Sequence, residues 1–429
     1  ERRRLEELAA EEARIAQEKT ESQRRQRRAL FTSFIAGILI LLAVVATTFA
    51  VIKTNQAERA AERAVIALLE ATRKDILLLN YDAAFAKMKD AANLGSVKDS
   101  VAFELMEIAY WNAETGRLGP AQTAAAEAAR LLGRADLAAS AAKAADRLAL
   151  RDVLARLDTT HFAFLEARYF PDCVRIPGGE FMMGSPEGIG GSDEQPEHPV
   201  RLSDFRLART ETTFWQFALY TENNKLDIQT FAPSWGIGGD HPVVNVSWYD
   251  AARYANWLSA REGRKPAYVF EGDDFKEIDF DANGYRLPTE AQWEYAARSG
   301  GKNEVYAGFS ETAELYLYAN FCDAACEYDW KDDTQKDGFK YTSPAGHYRP
   351  NGLELFDMTG NVWEWCQDWE ASYDSTLQIN PVGPKKGGFR VIRGGTWGLG
   401  AWDCRAAVRN DYTPDNRHKG IGLRLVRPF

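Results

Sequence analysis

Between Leu30 and Ile52 the chain reads LFTSFIAGILILLAVVATTFAVI, with no charged residue. A helix apolar on every side has no face to turn to water, and crossing a bilayer takes roughly 20 residues. The run therefore predicts one transmembrane helix rather than a buried core helix. Arg24, Arg25, Arg27 and Arg28 stand just before it, whereas Lys53 beyond it is diluted by Glu58 and Glu62. This asymmetry places the N-terminus in the cytoplasm and everything after Ile52 outside it, as a single-pass membrane protein. Residues 1–29 read as a charged helical linker, because Leu5, Leu8 and Ile15 are too sparse a seam for a coiled coil. The chain opens on Glu1 rather than Met, so an upstream signalling or effector domain is expected ahead of it.

Residues 58–168 carry apolar residues at helical spacing. In YWNAETGRLGPAQTAAAEAARLLG an aromatic, a small-residue turn at Gly116–Pro120 and an Ala-rich helix follow one another, which resembles a tetratricopeptide repeat. No strict period accompanies it, and this all-α, TPR-like segment is expected to act as a spacer. The net charge of −10 argues against nucleic acid as a partner. Cys173, Cys322, Cys326, Cys366 and Cys404 make neither a disulfide framework nor a zinc spacing. Cys322 and Cys326 would close a small disulfide in an exported domain, and Cys366 and Cys404 would form a buried pair.

At about Asp172 the composition turns to Gly, Pro, Trp and Tyr, as in an α+β domain with much irregular structure. Six motifs then occur in order: VRIPGGEFMMGS from Val174, EHPVRLSDFRLARTETTFWQF from Glu197, HPVVNVSWYDAARYANWLS from His241, YRLPTEAQWEYAAR from Tyr285, NGLELFDMTGNVWEW from Asn351 and RVIRGGTW from Arg390. Thr289 after Pro288, and Ser247 or Asp250, read as helix starts, and the tryptophans behind them as core. Together the six closely resemble the formylglycine-generating enzyme, or sulfatase-modifying factor, family from about Cys173 to the end, which sets a domain at 172–429. The resemblance implies an elaborated C-type-lectin-like fold.

The same resemblance implies calcium. Asn320 and Phe321, with Asp337 and Phe339, are similar to one calcium site of the family, through the side chains of Asn320 and Asp337 and the carbonyls of Phe321 and Phe339. DMTGNVWE is similar to the second, through the carboxylates of Asp357 and Glu364 and the carbonyls of Gly360 and Val362. Oxygen ligands on loops suit Ca²⁺, and carbonyl ligands explain how Phe and Val can stand at such positions. The plainer alternative is that Asp357 and Glu364 only hydrogen-bond their loop. Family members that make formylglycine resemble one another in two cysteines after an RGGS-like stretch, where soft thiolates hold copper. Here Arg393, Gly394 and Gly395 match, but Leu399 occupies the first cysteine position. No catalytic residue is assigned, copper is not expected, and the chain reads as a catalytically inactive homologue.

The terminal stretch, RGGTWGLGAWDCRAAVRNDYTPDNRHKGIGLRLV from Arg393 to Val426, alternates two kinds of residue. Its frame resembles the variable region of diversity-generating retroelement target proteins, some of which are built on this same family. The frame is matched at Arg393–Gly395, Trp397, Cys404–Arg405, Ala407, Arg409, Pro414–Arg417 and Ile421–Val426, with Leu423 where Phe is usual. Gly394 and Gly395 would allow tight turns, and Arg405 and Arg409 would anchor by charge-assisted bonds. The candidate ligand-binding residues are Trp397, Gly398, Leu399, Gly400, Ala401, Trp402, Asp403, Asn410, Asp411, Tyr412, Thr413, His418, Lys419 and Gly420. Trp397, Trp402 and Tyr412 are large, rigid contact residues. The expectation is a membrane-anchored, non-catalytic recognition or sensor protein whose diversified surface takes a protein ligand. A copper-dependent formylglycine-generating oxidase acting on sulfatase cysteines, and a lectin-like glycan binder, stay open as alternatives.

Overall fold

A computed structural model of the chain describes residues 98–428, with Ala64 and Ala67 as isolated helical positions. The linker at 1–29, the apolar run at 30–52 and the rest of 58–97 lie outside the described residues. Among those described, no helix is long and apolar enough to cross a membrane.

The described chain opens with five helices, α1 (Lys98–Glu114), α2 (Leu118–Leu131), α3 (Ala135–Ala142), α4 (Arg147–Leu157) and α5 (Thr159–Tyr169). Gly116, at φ +81°, turns the chain between the first two. Gly119 and Pro120 fall in the first turn of α2, where a missing N–H removes no helical bond, so the turn is shorter than Gly116–Pro120. Ala121, Ala124, Ala125, Ala128 and Ala129 are fully buried, and their short side chains let α1 and α2 pack closely. Asp146 and Asp158 cap α4 and α5 by accepting the N–H of Ala149 and His161 at 2.9 and 2.7 Å.

These helices share a core with the C-terminal domain. Trp111 and Tyr169 meet the ring of Trp215 edge-on, at 6.4 and 5.7 Å between centroids. The buried Glu114 carboxylate pairs with Arg147 and Arg151 at 2.9 Å each, and also with Arg261 of that domain. The change of composition at Asp172 therefore falls within one continuous hydrophobic cluster.

The C-terminal domain is built of short strands and helices. β1 (Cys173–Ile176), β4 (Phe205–Ala208) and β12 (Val426–Pro428) form a sheet in that order, so the first and last of these strands flank β4. A second sheet has the order β10 (Arg409–Tyr412), β9 (Arg390–Arg393), β7 (Trp363–Trp369), β11 (Ile421–Gly422). β2 (Gly179–Met183), β3 (His198–Leu202) and β8 (Gln378–Ile379) make a third, and β5 (Tyr268–Glu271) with β6 (Asp274–Ile278) a hairpin. Helices α6 (Phe214–Asn223), α7 (Trp248–Arg261) and α8 (Glu290–Ala297) start at Thr213, Ser247 and Thr289 with reciprocal capping boxes to Gln216, Asp250 and Gln292. Trp248, Trp293 and Trp365 are fully buried, and each finds an acceptor for its indole N–H: Cys366 O at 3.0 Å, Glu364 at 2.8 Å and Val246 O at 2.9 Å, respectively.

Candidate ligand-binding surface

The terminal stretch leaves β9, turns at Gly394 and Gly395, makes a 3-10 turn at Ala401–Cys404, and re-enters the sheets as β10, β11 and β12. Gly395 lies at φ +81°, and a Cβ there would sit 2.6 Å from the Sγ of Cys404. Only glycine satisfies both the backbone conformation and that contact.

Buried arginines hold the frame. Arg409 grips Glu290 through Nε and Nη2, each at 2.7 Å. Arg393, fully buried, bridges Glu290 and Glu294 and also donates to the carbonyls of Ala406 and Ala407. Arg405 makes a fork onto Glu194 at 2.8 and 3.0 Å, and Arg424 a fork onto Glu364. Burial opposes ionisation of Glu290, but Arg409 and Arg393 outweigh it and hold the carboxyl below its ordinary range. At Glu194 burial is likewise outweighed, by hydrogen bonds from Arg405 and Ser185. The expected anchoring by Arg405 and Arg409 is thus present. Its acceptors were not singled out from the sequence. For Glu290 and Glu294 a signal was there: two carboxylates one turn apart in a helix whose other residues are core.

The intervening residues divide by depth. Trp402 is 61% exposed and lies over the Arg405 guanidinium at 3.9 Å. Asn410, Thr413 and His418 are exposed; Leu399, Gly400, Ala401, Asp403, Asp411, Tyr412 and Lys419 are half-buried. Leu399 and Tyr412 also pack on the core. Trp397, Gly398 and Gly420 are buried, so they form the floor. Tyr412 stacks on His418 at 6.2 Å, and Lys419 Nζ lies 5.4 Å from the Trp397 ring, which brings parts of all three segments together.

Aromatic residues from elsewhere enlarge this face. Trp235 and Tyr341 stack at 4.3 Å, and both meet Trp397 edge-on. Tyr328 stacks on Trp330, which is 60% exposed and donates its indole N–H to Gly398 O at 3.0 Å. Cys322 N–H donates to Leu399 O at 2.8 Å, and the Cys322–Cys326 disulfide is formed, with Cα atoms 5.1 Å apart. Trp235, Tyr328, Trp330 and Tyr341 carry no periodic signal in the sequence, because their role comes from loops meeting in space.

The two candidate calcium sets differ. In the first, Asn320 Oδ1 is buried without a hydrogen-bond partner. Burial pushes the Asp337 carboxyl up to about 7, against main-chain bonds from Phe339 and Phe321, with buried Asp323 beside it. Two desolvated carboxyls and an orphaned amide oxygen suit a hard cation. The Phe321 carbonyl accepts the N–H of Asp323 at 2.8 Å. In the second set, Asp357 Oδ1 is buried without a partner, and burial pushes its carboxyl up to about 6. Glu364, however, binds Arg424 with both oxygens and accepts the Trp293 indole N–H, so a cation there would compete with a guanidinium fork. Gly360 and Val362 are buried in the same loop, with the Val362 N–H directed to Glu211 at 3.3 Å. Among the described residues no three His, Cys, Asp or Glu side chains converge as a metal site, so main-chain carbonyls would have to complete either set.

The expected pairing of Cys366 with Cys404 is absent: both are free, and they sit in separate hydrophobic clusters. Cys404 is fully buried, and burial pushes its thiol up to about 12.

An α+β domain whose first and last strands flank β4 in one sheet, with an arginine-anchored terminal stretch, has a C-type-lectin-like fold. Residues 162–429 match the sulfatase-modifying factor enzyme 1-like domain, and the chain belongs to this family. It is 33% identical over 308 residues to the formylglycine-generating enzyme of Streptomyces coelicolor, spanning 59% of this chain and 88% of that enzyme. It is 30% identical over 273 residues to the chaperone protein LppX of Paenibacillus barcinonensis, spanning 60% and 89%. Among solved structures it is similar to Treponema denticola variable protein 1, with a TM-score of 0.50 and 28% identity, covering 60% of this chain and 95% of that one. Relatives under such different names mean that membership alone assigns no reaction.

Proposed function

We propose that this chain is a membrane-anchored, non-catalytic recognition protein whose terminal surface binds a protein ligand. The observation that carries the reading is the separation of duties within that surface. Frame residues are tied to distant carboxylates, while Trp402, Asn410, Thr413 and His418 are exposed, and among the described residues the side chains of Asn410 and His418 bond only to their own segments. Trp330 and Trp402, two largely exposed tryptophans, supply the contact area a protein ligand needs. Similarity to a variable protein supports the same reading. Leu399 where the family's first thiol would stand, and a deeply buried Cys404, favour a domain without the copper chemistry. Calcium at Asn320 and Asp337 would brace the loop behind Trp330. The apolar run at Leu30–Ile52 would anchor the chain, with the upstream part in the cytoplasm.

The test is photocrosslinking in cells from position 402, with exposed Leu148 on α4 as the control position. A discrete protein adduct from 402 and none from 148 is the expected result; adducts of equal yield from both would refute the site. Copper-dependent oxidation of a cysteine peptide by the full chain would replace this reading with the enzymatic one, which the 33% identity to a formylglycine-generating enzyme favours.

A further inference from the structure

Two arginines break the rule that the others obey. Arg298, Arg393, Arg405, Arg409 and Arg424 are buried, and each pairs with a carboxylate. Arg286 and Arg390 are buried, 9% and 2% exposed, and among the described residues no ion pair reaches either. Burial acts to lower Arg286, Arg390, Arg409 and Arg424. Carboxylates reverse the effect at Arg409 and Arg424, whereas Arg286 stays lowered and Arg390 is pushed down to about 10. Arg390 still carries its charge at neutral pH, compensated only in part by Asp368, which acts on it without an ion pair, and a buried charge so placed is costly.

The surroundings of Arg390 are shaped. Its guanidinium lies between the rings of Trp248 and Trp369, 3.8 and 3.5 Å from their centroids. The sandwich covers both faces of the cation and leaves only its edges for hydrogen bonds. Nη1 donates to Gln367 O at 2.6 Å, while Nε and Nη2 are buried and have no hydrogen-bond partner among the described residues. Those two donors form the fork that matches a carboxylate or phosphate edge.

Arg390 lines a cleft of about 430 Å³ together with Trp369, Phe275, Lys276, Lys385 and one carboxylate, Glu277, and Lys276 also pairs with Glu271 and Asp274. A neighbouring cleft of about 350 Å³, lined by Arg286, shares Phe280 and Val382 with it. The roof is the segment around Gly383–Gly388, which rests on Asp368 and Trp369: Cβ atoms at Gly383 and Gly387 would lie 2.9 and 2.8 Å from the Cβ of each. A bare ion would leave most of such a cleft empty, whereas its volume is that of a small-molecule site.

We propose that this cleft binds an organic oxyanion, a carboxylate, phosphate or sulfate group on an apolar body, with Arg390 Nε and Nη2 as the fork and Lys276 and Lys385 at the rim. Both donors are buried beneath this close-packed segment, so an oxyanion reaches them only when the segment shifts. The body then lies against Phe275, Phe280 and Val382. This site is separate from the terminal surface and does not rest on the recognition reading.

The test is calorimetric titration of the full chain, in chloride buffer, with phosphate, phenyl phosphate, acetate and benzoate. Saturable one-site binding is expected, about tenfold tighter for the ring-bearing member of whichever pair binds. Whichever pair wins identifies the oxyanion. Arg390→Lys, which keeps the charge and loses the fork, should abolish binding. Lys276→Glu with Lys385→Glu changes only exposed residues, so it keeps the proposal falsifiable if Arg390→Lys fails to fold. That rim variant should weaken binding on the order of fivefold. No saturable heat from any of the four compounds overturns the proposal, as does equal affinity in the wild type and the rim variant.

Discussion

Within the terminal stretch, two populations of residues differ in how far their bonds reach. Arg405 and Arg409 contact Glu194 and Glu290, more than 100 positions away in the sequence. The side chains of Asn410 and His418, a few positions on, accept only the N–H groups of Asp411 and Gly420 among the described residues. A long-range fork holds the loop ends in register whatever lies between them. A local bond leaves the fold indifferent to the side chain. The contrast explains how a surface can change residue by residue on a constant scaffold, and it gives a scale on which substitutions should rank.

The largest loss is expected from Arg409→Ala. It strips the buried Glu290 of its bidentate partner and leaves Arg393 as its main counter-charge. Removing one member of a buried pair costs about 3–5 kcal/mol, to be read from the midpoint of denaturant unfolding. Arg409→Lys should recover little of it, since an ammonium cannot make the fork. A variant as stable as the parent would dissolve the distinction between frame and surface. Next comes Gly395→Ala, which combines a left-handed backbone with a Cβ 2.6 Å from Cys404 Sγ. About 2–3 kcal/mol is expected in the same assay. A loss under about 0.5 kcal/mol, the range of ordinary surface changes, would show that the turn is adaptable.

Much of this frame was legible in advance, and the physical reason is locality. Caps at Ser247 and Thr289 are written within four residues, and Cys322–Cys326 within five. The six ordered motifs identified the fold because each fixes a local device. What stayed hidden depends on contacts between distant segments. Trp111 looks like a repeat aromatic, yet it packs on Trp215 of the next domain. Glu364 looks like a calcium ligand, or a carboxylate bonded to its own loop, until Arg424 arrives from the last strands. Cys366 and Cys404 look like partners, but they belong to different clusters.

The comparison extends to pH. Glu290 and Glu194 titrate below the ordinary glutamate range, so their contribution is present above the unfolded value of about 4.3 and is lost as pH falls through the folded value. Asp337 and Asp357 run the other way. Folded values of about 7 and about 6 lie above the unfolded value of about 3.9, so between those limits the folded state binds more protons and stability falls as pH rises. A bound cation would reverse that fall. Calcium against EGTA should therefore stabilise the chain by about 1–2 kcal/mol near pH 7.5 and by clearly less near pH 5, read as shifts in Tm. Equal shifts at both pH values would remove calcium from the Asp337 loop, as would no shift at all.

The smallest effect is the most telling. Trp402→Ala with Asn410→Ala and His418→Ala removes three exposed side chains, none of which bonds outside its own segment. If the surface is free to vary, the triple variant stays within about 0.5 kcal/mol of the parent, as surface changes usually do. The local bonds it loses, and the Trp402 face beneath Arg405, are too exposed to matter more. The same variant should lose the photocrosslinkable partner, because Trp402 carries the largest exposed contact area of the stretch. Unchanged stability with lost binding keeps the two populations distinct. A loss of about 2 kcal/mol or more would show that residues here build the fold as well as face the ligand, and the division drawn at Arg405 and Arg409 would have to be redrawn around Trp402.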